Sequence, residues 1–157
     1  MGGELVISTP GAEQIDLVAE MLYACYANAD CIGYPTENSI EQQKSALEHY
    51  FKANQADLLK TASTLVTDKS SNEIVAVCLI SMWEDLPLVY NIAVIPRYRS
   101  RLLATMMLKK ALTVLKAEFE VLRLFVTVGN SAESLYYRLG FYPGPEQTTF
   151  QLPVRNM

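Results

Sequence analysis

Three apolar runs rich in β-branched residues lie between Ser63 and Val94, at Thr64 to Thr67, Ile74 to Trp83 and Leu88 to Val94. The turn-forming Asp68-Lys69-Ser70-Ser71-Asn72 lies between the first two, and a turn at Glu84-Asp85 leads into the third. Connections that short join neighbouring strands head to tail, so the middle of the chain predicts a three-stranded antiparallel meander. The runs are apolar throughout rather than alternating, which predicts a sheet covered on both faces.

The flanking segments supply the cover. Glu4 to Thr9 reads as a strand, broken by Pro10-Gly11, after which Ile15, Val18, Leu22 and Cys25 recur at helical spacing. Asn28 to Asn38, with Gly33 and Pro35, reads as a loop. Ser39 and Gln42 then have capping-box spacing ahead of a polar, peripheral helix reaching Asn54 or beyond. Beyond Pro96, Leu103, Met106, Met107, Ala111 and Val114 line one side of a helix over Leu102 to Leu115, and Val121 to Val128 is a strongly apolar strand. Strand, helix, strand predicts a right-handed crossover between parallel strands. Ser131 to Leu139 reads as a short helix ended by Gly140, and Thr148 to Val154 as a last strand whose exposed edge would suit a homodimer. The expectation is one α/β domain over residues 1–157: a mixed sheet, an antiparallel meander followed by a parallel crossover, with helices on both faces.

Charge and composition narrow the function. With 13 Lys and Arg against 17 Asp and Glu, the chain has a net charge of -4, and no basic footprint for nucleic acid. The longest apolar stretch, Ile74 to Trp83, is far short of the roughly 18 to 20 residues of a membrane span. Neither a signal peptide nor a myristoylation motif is read at the N-terminus. Cys25, Cys31 and Cys78 show no C-x-x-C spacing, so neither a disulfide framework nor a zinc site is expected, and a reducing cytoplasm fits best. His49, the single histidine, lies among Glu48, Tyr50 and Lys52 and reads as a surface residue.

Chemistry concentrates in the second half. The segment Val94-Ile95-Pro96-Arg97-Tyr98-Arg99-Ser100-Arg101-Leu102-Leu103-Ala104 ends a strand and opens a helix. The first N–H groups of a helix lack intrahelical acceptors and carry the positive end of its dipole, so they suit a pyrophosphate, with Arg99 and Arg101 adding forked donors. Surface arginines at an ordinary helix start would give the same letters. A second segment follows, Asn130-Ser131-Ala132-Glu133-Ser134-Leu135-Tyr136-Tyr137-Arg138-Leu139-Gly140-Phe141. In this order and spacing, the two resemble the cofactor loop and downstream tyrosine segment of the GNAT superfamily of acyl-CoA N-acyltransferases.

The resemblance implies acetyl-CoA, or another acyl-CoA, as the acyl donor. It implies that Val94 lies on the strand that pairs with the pantetheine arm, that Arg99, Ser100, Arg101, Leu102, Leu103 and Ala104 form the pyrophosphate loop, and that Tyr136 faces the cofactor sulfur. Two positions depart from the family pattern. Leu102 stands where the family has glycine, so its side chain must point elsewhere for the backbone to approach phosphate. Counted back from Gly140-Phe141, the usual asparagine position holds Gly129, and Asn130, which the resemblance makes a cofactor-binding candidate, comes one residue later.

A phenol with a pKa near ~10 suits protonation of a departing thiolate, which gives Tyr136 a chemical role. The attacking amine must also lose a proton, and Glu84 and Asp85 are the candidate bases by location. Substrate choice falls to Tyr26, Asp30, Tyr34 and Glu37, whose aromatic and acidic character suits a cationic amine. The leading expectation is transfer to a primary amine of a small molecule or peptide, with no metal. An acyltransferase-fold module without turnover, binding acyl-CoA or a protein partner, is the alternative. A nucleotide binder is disfavoured, because neither G-x-G-x-x-G nor G-x-x-x-x-G-K-[ST] occurs.

Overall fold

The computed structural model describes residues 4–27 and 39–124. Strand β1 spans Leu5–Ser8, and a 3-10 turn, Ala12–Gln14, leads into α1, Ile15–Ala27. Helix α2 is Ile40–Ala53 and α3 is Asp57–Ala62. Strands β2 (Thr64–Asp68), β3 (Glu73–Trp83) and β4 (Leu86–Val94) follow, then a 3-10 turn over Pro96–Arg101 and helix α4, Leu103–Leu115. The sheet order is β1-β2-β3-β4, antiparallel throughout. After α4 the chain returns beside β4 in parallel, at Leu88 and Arg123. This is the crossover that the sequence predicts, attached to the meander.

Burial follows from this layout. Eight consecutive residues of β3, Ile74 to Ser81, are buried, so both its faces are covered. The pair α1 and α2 and the pair α3 and α4 supply that cover. Each helix presents an apolar stripe: Val18, Leu22 and Cys25 on α1, and Leu103, Met107, Leu108, Ala111 and Leu115 on α4. Helix α2 begins as its sequence indicates, with Ser39 Oγ accepting from Gln42 N–H at 3.1 Å. It is less peripheral than its polarity suggests, because Gln43, Leu47 and Tyr50 face inward and are buried.

Strand β2 ends where β3 continues, and side chains replace its ladder. Ser63 Oγ accepts from Ile80 N–H at 2.9 Å, and Tyr50 O–H donates to Ile80 O at 2.6 Å. Ser63 Oγ also donates to Leu59 O, while Lys110 Nζ donates to Ser63 O and Thr64 Oγ1, tying α4 to the same point. Desolvation lowers the Lys110 pKa.

Several boundaries differ from expectation for local reasons. Glu84 and Asp85 are both left-handed, with φ of 51° and 65°, and form a two-residue hairpin, so β4 starts at Leu86 rather than Leu88. Strand β1 is shorter at each end than Glu4 to Thr9. The six-residue α3 was not anticipated, and α4 starts at Leu103 because Leu102 is left-handed. The expected helix at 131–139 and strand at 148–154 lie outside the described residues, as does 125–128 of the expected strand 121–128. Among the described residues, no helix is long and apolar enough to cross a membrane.

Burial pushes the Tyr50 hydroxyl pKa up from 10.0 to about 12. The folded state therefore keeps a proton that the unfolded chain loses above pH 10, and this contribution is intact below pH 10 and lost as pH rises through 12. Tyr50→Phe removes the donor to a buried carbonyl and should cost about 1–3 kcal/mol at pH 8. The gap between parent and variant should narrow between pH 10 and 12 in urea unfolding; a constant gap would show that the phenol does not titrate this way.

Candidate functional site

The site begins with a change of phase in β4. Leu79 pairs with Asn91 but Ile80 pairs with Val89, so Tyr90 is an extra residue and β4 bulges there. Before the bulge, Val89 N–H donates to Arg123 O at 2.8 Å and Pro87 O accepts from Arg123 N–H at 3.0 Å. Odd-numbered residues there turn their backbone polar groups away from β3. After the bulge, Ile95 N–H donates to Val75 O at 2.9 Å, so odd-numbered residues face β3 and the even-numbered Ile92 and Val94 face the outer edge. The bulge thus decides which amides β4 offers to anything laid along that edge. The Tyr90 ring stacks on Tyr50, with centroids 4.9 Å apart, so α2 packs onto the bulge itself.

At the end of β4 the chain tightens. Val94 is buried, and its carbonyl accepts from Arg99 Nε at 2.9 Å and from Cys25 Sγ at 3.8 Å. Burial raises the Cys25 pKa, and the Arg99 charge and hydrogen bond oppose that shift. Ser100 and Arg101 contribute backbone to the 3-10 turn.

Leu102 then takes φ 60° and ψ 25°, the left-handed conformation that glycine adopts freely. Its side chain is 70% exposed, so it points into solvent instead of over the helix end. The structure thereby answers the question that the missing glycine raises: the backbone keeps the glycine shape, and the Cβ is turned aside. Met106 N–H reaches Leu102 O at 3.0 Å, whereas the amides of Leu103, Ala104 and Thr105 precede this first intrahelical donor, have no acceptor within the helix and point out of its end. Leu103 is buried and Ala104 half-buried, which anchors this first turn. A diphosphate fits such a cradle, with the amides as donors, the dipole favouring negative charge and Arg99 alongside.

The structure therefore brings Val94 and Arg99 through Ala104 together. It does not bring Glu84 and Asp85 to them: they sit at the opposite end of β4, exposed, roughly 30 Å along the strand from Val94 at about 3.3 Å per residue. Glu84 is 3.7 Å from Arg123, which also lies over the Trp83 ring. Tyr136, Asn130, Asp30, Tyr34 and Glu37 lie outside the described residues; Tyr26 falls in the last turn of α1. Among the described residues, no group of His, Cys, Asp or Glu could hold a metal ion.

Sequence reasoning missed Cys25 and the Tyr50–Tyr90 stack. It also missed the buried pair of Tyr98 O–H and Asp68 Oδ2, at 2.5 Å beneath the turn. The bulge at Tyr90 and a hydrogen bond between residues thirty apart leave no local pattern to read.

The sequence profile of the acetyltransferase (GNAT) family matches residues 19–141. Solved structures share the fold at low identity. The ribosomal-protein-S18-alanine N-acetyltransferase of Escherichia coli is 20% identical, with TM-score 0.63, over 90% of this chain and 79% of that one. The PaiA N-acetyltransferase of Thermoplasma acidophilum, solved with coenzyme A, is 17% identical, with TM-score 0.69, over 90% and 91%. A predicted acetyltransferase of Clostridium acetobutylicum, solved with acetyl-CoA, is 13% identical, with TM-score 0.66, over 91% and 93%. No curated protein matches the sequence.

A left-handed conformation costs a residue with a Cβ about 1–2 kcal/mol, against about 0.5–1 kcal/mol of backbone entropy for glycine. Leu102→Gly should therefore stabilise the protein by roughly 0.5–1 kcal/mol in chemical denaturation. A loss of stability would mean that the exposed leucine makes contacts that outweigh its strain.

Proposed function

The chain belongs to the acetyltransferase (GNAT) family, and from that premise we propose that it transfers an acetyl or other short acyl group from acyl-CoA directly to a primary amine of a small molecule or peptide. The donor is the family's acetyl-CoA, which solved relatives of this fold also carry. The observation that carries the reading to this particular chain is the left-handed Leu102. A residue that prefers another conformation keeps the shape needed to open the α4 amides toward a diphosphate.

In this reading the residues divide the work. The amides of Leu103 to Thr105 and Arg99 hold the diphosphate, and the outer edge of β4 from Ile92 to Val94 aligns the arm that bears the thioester. Attack by a neutral amine on the thioester carbon forms the C–N bond and breaks the C–S bond; the thiolate takes a proton from Tyr136, and the surplus proton on nitrogen passes through water to restore the phenol. Direct attack needs no enzyme-bound acyl group, and Cys25 and Cys78, both buried, are not placed as nucleophiles. Catalysis then rests on positioning and on backbone donors aimed at the thioester oxygen. Glu84 and Asp85 lie at the far end of β4 from the diphosphate cradle and remain candidate bases for the amine.

The thermal midpoint of the protein should rise by several degrees with saturating acetyl-CoA or CoA and stay unchanged with ATP or NAD. If neither CoA ligand moves the midpoint, the acyl-donor assignment fails. With an acceptor amine in hand, Tyr136→Phe should lower turnover more than tenfold while acyl-CoA affinity changes by less than a few-fold; undiminished turnover would remove the tyrosine from the mechanism.

A further inference from the structure

The phosphate turn keeps a backbone shape that its own sequence opposes. With leucine at position 102, relaxation toward negative φ would swing the start of α4 and turn its free amides away from the ligand. A restraint outside the turn is needed. The tie from Arg99 to Val94 spans only five residues and closes the turn on its own strand, so it cannot fix the turn against the rest of the sheet.

Among the described residues, α1 reaches the turn through Cys25, which hydrogen-bonds to Arg99, and the hairpin that joins β2 to β3 reaches it through two pairs. Arg97 pairs with Glu73 and lies 5.4 Å over the Tyr98 ring, but Arg97 and Glu73 are 61% and 42% exposed, where an ion pair contributes little. The other contact is buried. Tyr98, 3% exposed, donates its hydroxyl to Asp68 Oδ2 at 2.5 Å, and Asp68 is itself 6% exposed. Hydrogen bonds from O–H to a carboxylate are among the stronger ones, and burial shields this one from solvent.

The carboxylate is firmly held. Its Oδ1 accepts from Ser70 N–H at 2.9 Å and from Ser70 Oγ at 2.7 Å, while Asp68 O accepts from Asn72 N–H at 2.7 Å. The register between β2 and β3 shifts just before it, after Val66, with Val75 as the extra residue. Val75 O is also the acceptor for Ile95 N–H at the entrance to the turn. One irregularity in the sheet therefore meets both ends of the attachment.

We propose that Asp68 and Tyr98 form the positioning pair that holds the Pro96–Arg101 turn, and with it left-handed Leu102, in the shape that opens α4 to the diphosphate of coenzyme A; this rests on the acyltransferase reading above. Neither residue is assigned a contact with the ligand. They act through Leu102, and that link separates positioning from ordinary packing.

The experiment is calorimetric titration of the full chain with free coenzyme A, in the parent, Tyr98→Phe, Leu102→Gly and the double variant. Tyr98→Phe should weaken binding by about five- to tenfold in the parent background and by less than about twofold with Leu102→Gly, because glycine holds the left-handed shape without help. Equal weakening in both backgrounds would reduce Tyr98 to a packing residue and overturn the proposal, as would unchanged affinity in Tyr98→Phe. Asp68→Asn, which keeps a neutral hydrogen-bonding partner, should bind coenzyme A better than Asp68→Ala at similar thermal midpoints; the reverse order would also count against the pair. If the parent does not bind coenzyme A, this proposal and the acyltransferase reading fall together. If it binds and the cycle is additive, only this proposal fails.

Discussion

A strand buried on both faces has no solvent to satisfy a backbone group that its neighbours leave unpaired, and β3 is such a strand. Much of the structure follows from meeting that requirement where its neighbours stop or slip. Where β2 ends, Ser63 and Tyr50 take over the N–H and C=O of Ile80, which pulls α2 and α3 onto the sheet. Where the register to β2 slips, Val75 turns its carbonyl to Ile95 and receives the start of the Pro96–Arg101 turn. The slip to β4 leaves Tyr90 unmatched and changes which amides β4 shows at its outer edge. The candidate site sits between two register shifts along β3, one against β2 and one against β4.

How much of this the sequence discloses depends on the range of the interactions. The meander, the crossover helix and the helix start at Ser39 are local patterns, readable from β-branched runs, a 3.6-residue stripe and a capping residue. The strand-to-helix junction over residues 94 to 104 is legible for the same reason, since the residues are contiguous. The bulge at Tyr90, the Cys25–Val94 contact and the Asp68–Tyr98 bond were not legible, because each joins residues far apart in the chain. Helix α2 was misjudged for a related reason. Its polar average hid a narrow stripe of Gln43, Leu47 and Tyr50, two of which a count of apolar residues scores low or ambiguous.

Leu102 is the point where local preference and global structure disagree. Local preference alone predicts an ordinary helical start, which is why the helix was expected one residue early. The structure keeps the left-handed shape because the surrounding contacts over-determine it, and the disagreement falls at a proposed binding site, where such conflicts tend to concentrate.

Magnitudes indicate which contacts can sustain that shape. The strain is on the order of 1–2 kcal/mol. An exposed pair such as Arg97–Glu73 contributes about 0–1 kcal/mol and weakens with salt, so it is too small to hold the turn alone. A hydrogen bond to a charged group is worth about 1.5–3 kcal/mol, which matches or exceeds the strain. The Asp68–Tyr98 bond is therefore of the size needed to sustain the conformation at Leu102. A glycine at position 102 would release the hairpin from that duty, and in a chain without it the β2–β3 turn becomes part of the proposed diphosphate site although no contact with the ligand is assigned to it.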